Sequence, residues 1–315
     1  MAEVTVAIPV YNGARFIARA IESVLTQTYP KFILKIIDNA STDLTPDIVK
    51  SFKDKRIRYV RNKKNIGMLG NWKKCLDADT KYVAILFADD FYRPTFLEES
   101  IKQFKGNVGI VASGTCVATE TGAIKSECPL HKNGLFSDRE YYKYIYGDGM
   151  CPVPSVTVLL TEAVKAVGGF DTKHLNWLVD GDLYLRICTR GFAAYHLTSC
   201  LSCRRGWSGN TTNTLTYSMG HYLDRYYILR KYYRKDWITQ DALKSAYKGI
   251  WRMGLGSILY NARRGRVSLA AQQLALLICE GDRPHHGGSL QYRIASVLRL
   301  GLYFIEIIPS KIAGE

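Results

Sequence analysis

No stretch of this sequence stays apolar and uncharged for the roughly 18 residues that a membrane-crossing helix needs, so no spanning segment is expected. The opening "MAEVTVAIPVYN" lacks the basic stretch that begins a signal peptide and alternates straight into a strand, so none is expected. Cysteine occurs eight times with irregular spacing, and only Cys200 and Cys203 form a CxxC pair. A zinc site wants a second such pair, so reduced cysteines of a cytosolic protein are the expectation. Also missing is the glycine pattern of a dinucleotide site. Where GxGxxG would follow the first strand, the chain has Pro9, Val10, Tyr11, Asn12 and a single Gly13, which excludes a Rossmann dehydrogenase.

What is present begins with size and charge. A chain of 315 residues with 47% hydrophobic composition supports one large domain, or a core domain with an appendage. The net charge of +15 asks for an anionic partner, and it is unevenly spread. Residues 1–215 carry 28 basic and 21 acidic side chains; residues 216–315 carry 15 and 7. Nucleic acid, anionic lipid and phosphorylated small molecules all satisfy that charge.

The first 110 residues alternate strand and helix. "VTVAIPV", "FILKIIDN", "RIRYVRN" and "KYVAILFADD" read as strands, and "ARFIARAIESVLTQ", "TPDIVKSFKD" and "GNWKKCLDAD" as the helices between them. This rhythm predicts an α/β fold, a mostly parallel sheet with flanking helices. In such sheets ligands bind beyond the carboxyl ends of the strands. Those ends read "IPVYNGARF", "IIDNASTD", "RNKKNIGMLGNW" and "FADDFYRP", so amides and acids converge on one edge. The last is the sharpest signal: a strand too apolar to leave a core, Tyr82 to Phe87, runs out onto two adjacent carboxylates, Asp89 and Asp90. Adjacent like charges repel unless solvent screens them or a cation gathers there. A diphosphate reached through a divalent cation fits that demand.

These segments, in this order, resemble the family 2 glycosyltransferases of GT-A (Rossmann-like) fold, the group that includes bacterial polysaccharide and O-antigen sugar transferases. The likeness continues through "VGGFDT", "VDGDLYLRICTRG" and "CRRGWSGNTT" and covers about two thirds of the chain. It implies that Pro9, Tyr11, Asn12, Asp38, Asn39 and Gly67 surround the nucleotide of a nucleotide-diphosphate sugar (UDP, dTDP or GDP). It implies further that Asp89 lies toward ribose or metal and that Asp90 ligates Mn or Mg directly. Asp180, where the family keeps its acidic base, is the implied catalytic residue. Three places depart from the family pattern: Asn39 stands for a second Asp, Phe87 and Ala88 for a leading acid of the metal motif, and Val179 for a Glu. An amide still pairs with a pyrimidine edge, because it both donates and accepts. The family inverts, implying a single displacement on a glycan or lipid-linked acceptor. A non-catalytic nucleotide-sugar binder is the alternative, but it has no need of Asp90 or Asp180. A nucleic-acid binder leaves the ring of acids unexplained.

Other residues have plainer expectations. Asp43 reads as a turn or capping acid, and Asp182 as the partner of Arg186 at helical spacing. Arg204 and Arg205 either clamp a diphosphate from a mobile loop or form a solvated basic patch. The domain expectation is a catalytic domain over residues 1–215 and a basic helical region over 216–315. In the latter, "HYLDRYYILRKYYRKDW" mixes tyrosine with basic residues, and Ser296, Arg299, Tyr303 and Glu306 make a narrow polar stripe on an apolar helix. That helix packs in a core or a homo-oligomer, or lies on an anionic membrane surface. The expected location is cytoplasmic, with the inner membrane face as the peripheral alternative.

Overall fold

The computed structural model describes residues 1–137, 140–141, 144–145, 151–210, 224–225, 227–228, 231–232, 255–266 and 270–271. The chain divides into two compact units, Met1–Leu215 and Thr216–Glu315.

The first unit is built on a mixed sheet whose first half follows the predicted rhythm. Strands β1 (Val4–Val10), β2 (Phe32–Asp38), β3 (Ile57–Arg61) and β4 (Tyr82–Ile85) alternate with helices α1 (Ile17–Leu25), α2 (Thr45–Ser51) and α3 (Met68–Cys75). All four strands are parallel, in the order β3-β2-β1-β4. Every residue of β1 is buried, as a strand covered on both faces requires. Helix α1 turns Ile17, Ala20, Ile21 and Val24 into the core, the spacing of one helical face. Pro46 begins α2, where its missing N–H costs nothing.

The second half alternates strand direction. After β5 (Phe91–Tyr92) and α4 (Phe96–Ile101) come β6 (Val108–Ala118), β7 (Ile124–Cys128) and β8 (Gly134–Phe136). A 3₁₀ turn (Pro154–Val156) leads into β9 (Thr157–Leu160), then α5 (Thr161–Ala166), α6 (Val179–Thr189) and the long β10 (Ala193–Arg205). Strand β9 runs antiparallel between β4 and β6, and β10 is parallel to β6. Consequently β10 delivers Arg204 and Arg205 beside β5, where Cys203 faces Phe91, immediately after the acid pair. Fourth-strand pairing ends at Ile85, sooner than the apolar run suggests. The chain then turns tightly, with the Asp90 N–H donating to the Phe87 carbonyl at 3.0 Å.

Register sets the binding edge. Val10 lies level with Asp38, and Asp38 with Arg61, so the loops after β1, β2 and β3 leave the sheet side by side. Two non-glycine residues there have left-handed backbone, Asn12 (φ 51°) and Ala40 (φ 63°). Asn tolerates this conformation; for Ala it costs about 1–2 kcal/mol, which the hydrogen bonds of the flanking residues must offset.

In the second unit residues 255–263 are helical, with Ile258, Asn261 and Ala262 buried. The polar stripe from Ser296 to Glu306, and most of the basic-aromatic segment, lie outside the described residues. Among the described residues no helix is long and apolar enough to cross a membrane.

Candidate active site

Backbone N–H groups and short polar side chains knit the first two loops together. Asn12 N–H donates to Ser41 Oγ (2.9 Å), Gly13 N–H to Thr45 Oγ1 (2.9 Å) and Ala14 N–H to Asp43 Oδ2 (3.0 Å). Asn12 Oδ1 accepts in return from Thr42 N–H at 2.8 Å. Asp43 is therefore the turn acid its context suggests. Burial pushes its carboxyl up, but hydrogen bonds from Thr45 and Ala14 outweigh this and leave it below the ordinary value. Tyr11 projects from this region half exposed, while Pro9 is buried inside β1.

Asp38 and Asn39 are both engaged within the protein. The Asp38 side chain is buried; Oδ1 accepts from Ser41 N–H (2.8 Å) and Oδ2 from the Tyr59 hydroxyl (2.5 Å), with Arg61 Nε 3.6 Å away. Asn39 is committed even more fully. Its Nδ2 donates to Asn65 Oδ1 (2.8 Å) and the Gly67 carbonyl (3.2 Å), and its Oδ1 accepts from Asn62 Nδ2 (3.0 Å) and Ile66 N–H (3.0 Å). Two donors and two acceptor positions are all an amide has. The Asn39 side chain thus holds the third loop in shape. The network continues inward, as Asn62 Nδ2 meets Asn71 Oδ1 (2.9 Å), Lys74 Nζ donates to Asn62 Oδ1 (2.6 Å) and Asn71 Nδ2 reaches the Ile37 carbonyl (2.9 Å). Gly67, with φ 79°, starts α3 from this loop.

The two acids at the end of β4 have opposite environments. Asp90 is 5% exposed, with Oδ1 accepting the Arg205 N–H at 3.1 Å. Burial pushes its carboxyl up to about 7, the Asp89 charge adding to the rise; Ser155, the Arg205 N–H and the Arg204 charge oppose it. Asp89 is half-buried, and its Oδ2 accepts from Trp207 Nε1 (2.9 Å) and Asn210 Nδ2 (3.2 Å). Asp89 is thus the more open of the pair.

The arginines also differ. Arg205 is buried; Nε donates to the Asp89 carbonyl (2.9 Å), Nη1 to the Glu120 carbonyl (2.6 Å), and its guanidinium lies 4.8 Å from the Phe16 ring. Arg204 is half-buried beside Asp90, and no hydrogen bond or ion pair engages its guanidinium among the described residues.

Asp180 sits half-buried in the first turn of α6, its Oδ1 accepting the Gly181 N–H at 2.8 Å. Asp182, two residues on, is fully buried and pairs with Arg186 (2.7 Å), as the i,i+4 spacing predicts. Arg186 also donates to the carbonyls of Val167 (2.6 Å) and Gly169 (2.7 Å), holding the "VGGFDT" turn against the helix. Burial raises the hydroxyls of Tyr184 and Tyr92 well above the ordinary tyrosine value, the Asp180 charge adding to the rise at Tyr184 and the Asp90 charge to that at Tyr92.

Sequence reasoning passed over Trp207, Asn210, Ser155 and the asparagines at 62, 65 and 71. The cluster of amides in "RNKKNIGMLGN" was the available signal for the last group; Ser155 gave none.

The model of "Glycosyl transferase family 2" matches residues 5–168. An uncharacterized glycosyltransferase of Methanocaldococcus jannaschii, MJ1057, is 30% identical over 162 residues, 49% of this chain and 55% of that protein. The chain therefore spans about half of that relative's length. The putative glycosyltransferase EpsE of Bacillus subtilis is 27% identical over 237 residues, 73% of this chain and 82% of that one. Among solved structures, the mannosyltransferase PcManGT of Pyrobaculum calidifontis, in complex with GDP-Man and Mn2+, superposes with a TM-score of 0.58 at 19% identity. That superposition covers 98% of this chain and 82% of the other, and it shows a shared fold. With the family match spanning more than half its length, the chain belongs to glycosyl transferase family 2.

Proposed function

We propose that this chain is an inverting, metal-dependent glycosyltransferase, moving a sugar from a nucleotide-diphosphate donor (UDP, dTDP or GDP) to a hydroxyl of a glycan or lipid-linked acceptor in cell-surface polysaccharide synthesis. The observation that carries the reading is the Asp89–Asp90 pair beside the Arg204 guanidinium, which has no partner among the described residues, at the carboxyl edge of the sheet. PcManGT, which shares the fold, holds GDP-Man and Mn2+. This supports a nucleotide sugar and a divalent cation here.

The residues present fit Mn or Mg. Two hard carboxylates, one of them with its pKa raised by burial and by the charge of the other, match an ion that takes one or two protein carboxylates and completes its shell with substrate phosphates. Asp89 and Asp90 would hold it, and when bound it supplies positive charge to the leaving diphosphate. Among the described residues no cluster of three ligating side chains exists, and donor phosphates and water would complete the shell.

The protein's own groups do the rest. Arg204 pairs with the diphosphate and stabilises the negative charge that grows on the phosphate oxygen as its bond to the anomeric carbon breaks. Asp180 accepts the proton of the acceptor hydroxyl, whose oxygen bonds to that carbon from the opposite face. Arg205, with its guanidinium already engaged, supports the Asp89–Asp90 turn. Tyr11 and Asn12 edge the nucleotide site, while Asp38, Asn39 and Gly67 form its wall. The basic region over 216–315 serves an anionic membrane surface or a second copy of the chain, placing the enzyme in the cytoplasm or on the inner membrane face. Purified protein offered UDP-, dTDP- and GDP-sugars with Mn or Mg tests the reading. Release of nucleoside diphosphate, dependent on the metal, is the expected result.

A further inference from the structure

Asp89 is held on one side only. Its Oδ2 accepts both the Trp207 indole N–H (2.9 Å) and the Asn210 amide (3.2 Å), and no donor among the described residues reaches Oδ1. The two donors come from the loop that follows β10, and they are fixed to each other, since Trp207 N–H donates to Asn210 Oδ1 at 2.6 Å. The Trp207 ring is itself seated edge-on against Phe16, with centroids 5.1 Å apart. Arg205 binds the Asp89 carbonyl at 2.9 Å, so backbone and side chain of Asp89 are anchored from the same segment.

A carboxylate that binds a cation through one oxygen commonly has the other hydrogen-bonded by neighbouring groups, which set its angle and remove its freedom to rotate. We propose that Trp207 and Asn210 are positioning residues for the divalent cation: they hold Asp89 Oδ2 so that Oδ1 is presented to the metal–diphosphate group. The inference rests on the metal reading given above and assigns to the "GWSGN" loop a part in it. Two neutral donors suit this role. They orient the carboxylate and leave its full negative charge for the cation, whereas an arginine there would neutralise it.

Two separable features of the indole bear on the test, its N–H on Asp89 and its ring on Phe16. Trp207→Phe deletes the first and keeps an aromatic ring for the second; Trp207→Ala deletes both. The test is calorimetric titration of manganese pyrophosphate into the full chain, a probe that needs no knowledge of base or sugar, with thermal unfolding in parallel. The parent should bind, and Asp89→Asn should lose binding. Trp207→Phe should bind about 10- to 100-fold more weakly with its unfolding temperature near the parent's. Parent-like affinity in Trp207→Phe, with weakening seen only in Trp207→Ala alongside lost stability, would reduce the tryptophan to a packing residue and overturn the inference. A parent that binds no manganese pyrophosphate overturns the metal reading and this inference together.

Discussion

Arg205 donates its backbone N–H to Asp90 Oδ1 at 3.1 Å while its guanidinium reaches the carbonyl of Asp89 at 2.9 Å, so one residue of β10 braces both members of the acid pair. Its neighbour Arg204 has no such commitments among the described residues. The two adjacent arginines should therefore respond differently to removal. Arg205→Ala leaves two carbonyls without a donor and removes one of the two guanidinium groups over each of the Phe16 and Phe91 rings, and should cost about 2–4 kcal/mol of stability in urea unfolding. Arg204→Ala should leave the unfolding curve in place and weaken nucleotide-diphosphate binding about tenfold or more.

The raised carboxyl of Asp90 gives a pH signature. Folded, with burial and the Asp89 charge acting on it, Asp90 keeps its proton up to about 7; unfolded, it loses that proton near the ordinary value of 3.8. Between those values the native state binds more protons, so this group's contribution to stability falls as pH rises from about 4 through 7 and is level above. In chelator, Asp90→Asn should become more stable relative to the parent across that window. Unfolding midpoints at several pH values measure the difference. Added Mn should stabilise the parent most at the alkaline end, where the carboxylate is charged.

Asn39 stands where many family members carry a second Asp. Restoring the acid by Asn39→Asp should not strengthen nucleotide binding. A carboxylate keeps the two accepted bonds from Asn62 and Ile66 but sets an oxygen against Asn65 Oδ1 and the Gly67 carbonyl. The expected cost is about 1–3 kcal/mol, with faster amide exchange over residues 62–67.

Asp182 and Arg186 form a buried pair, and breaking one partner leaves the other uncompensated. Asp182→Asn should lose about 3–5 kcal/mol and release the turn at Val167 and Gly169, visible as increased exchange or proteolysis there.

How much of this was legible beforehand follows from the range of the interactions. Local periodicity marked β1 to β4 and the helices between them, and the carboxyl-edge rule then brought Asp38, Asp89 and Asp90 to one side. The Asp182–Arg186 pair needed only helical spacing. Long-range contacts were invisible: Asn39 is satisfied by residues 23 to 28 positions away, and Asp89 by residues 118 and 121 positions away. The same holds for the antiparallel insertion of β9 between β4 and β6, which no local pattern encodes. Family motifs name positions but not their partners. For Asn39 they gave no sign of the four hydrogen bonds that its amide makes within the protein.

The central claim is that Asp180 drives sugar transfer from a donor held through the metal acids and Arg204. Its most direct test is the initial rate of nucleoside-diphosphate release, measured with Mn and with chelator, for the parent and for Asp180→Asn, alongside donor affinity by calorimetry. The account predicts release that stops in chelator, and an Asp180→Asn variant that binds donor nearly as tightly as the parent yet turns over about 100- to 10,000-fold more slowly. Full-rate release in chelator, or an Asp180→Asn variant as fast as the parent, would contradict it.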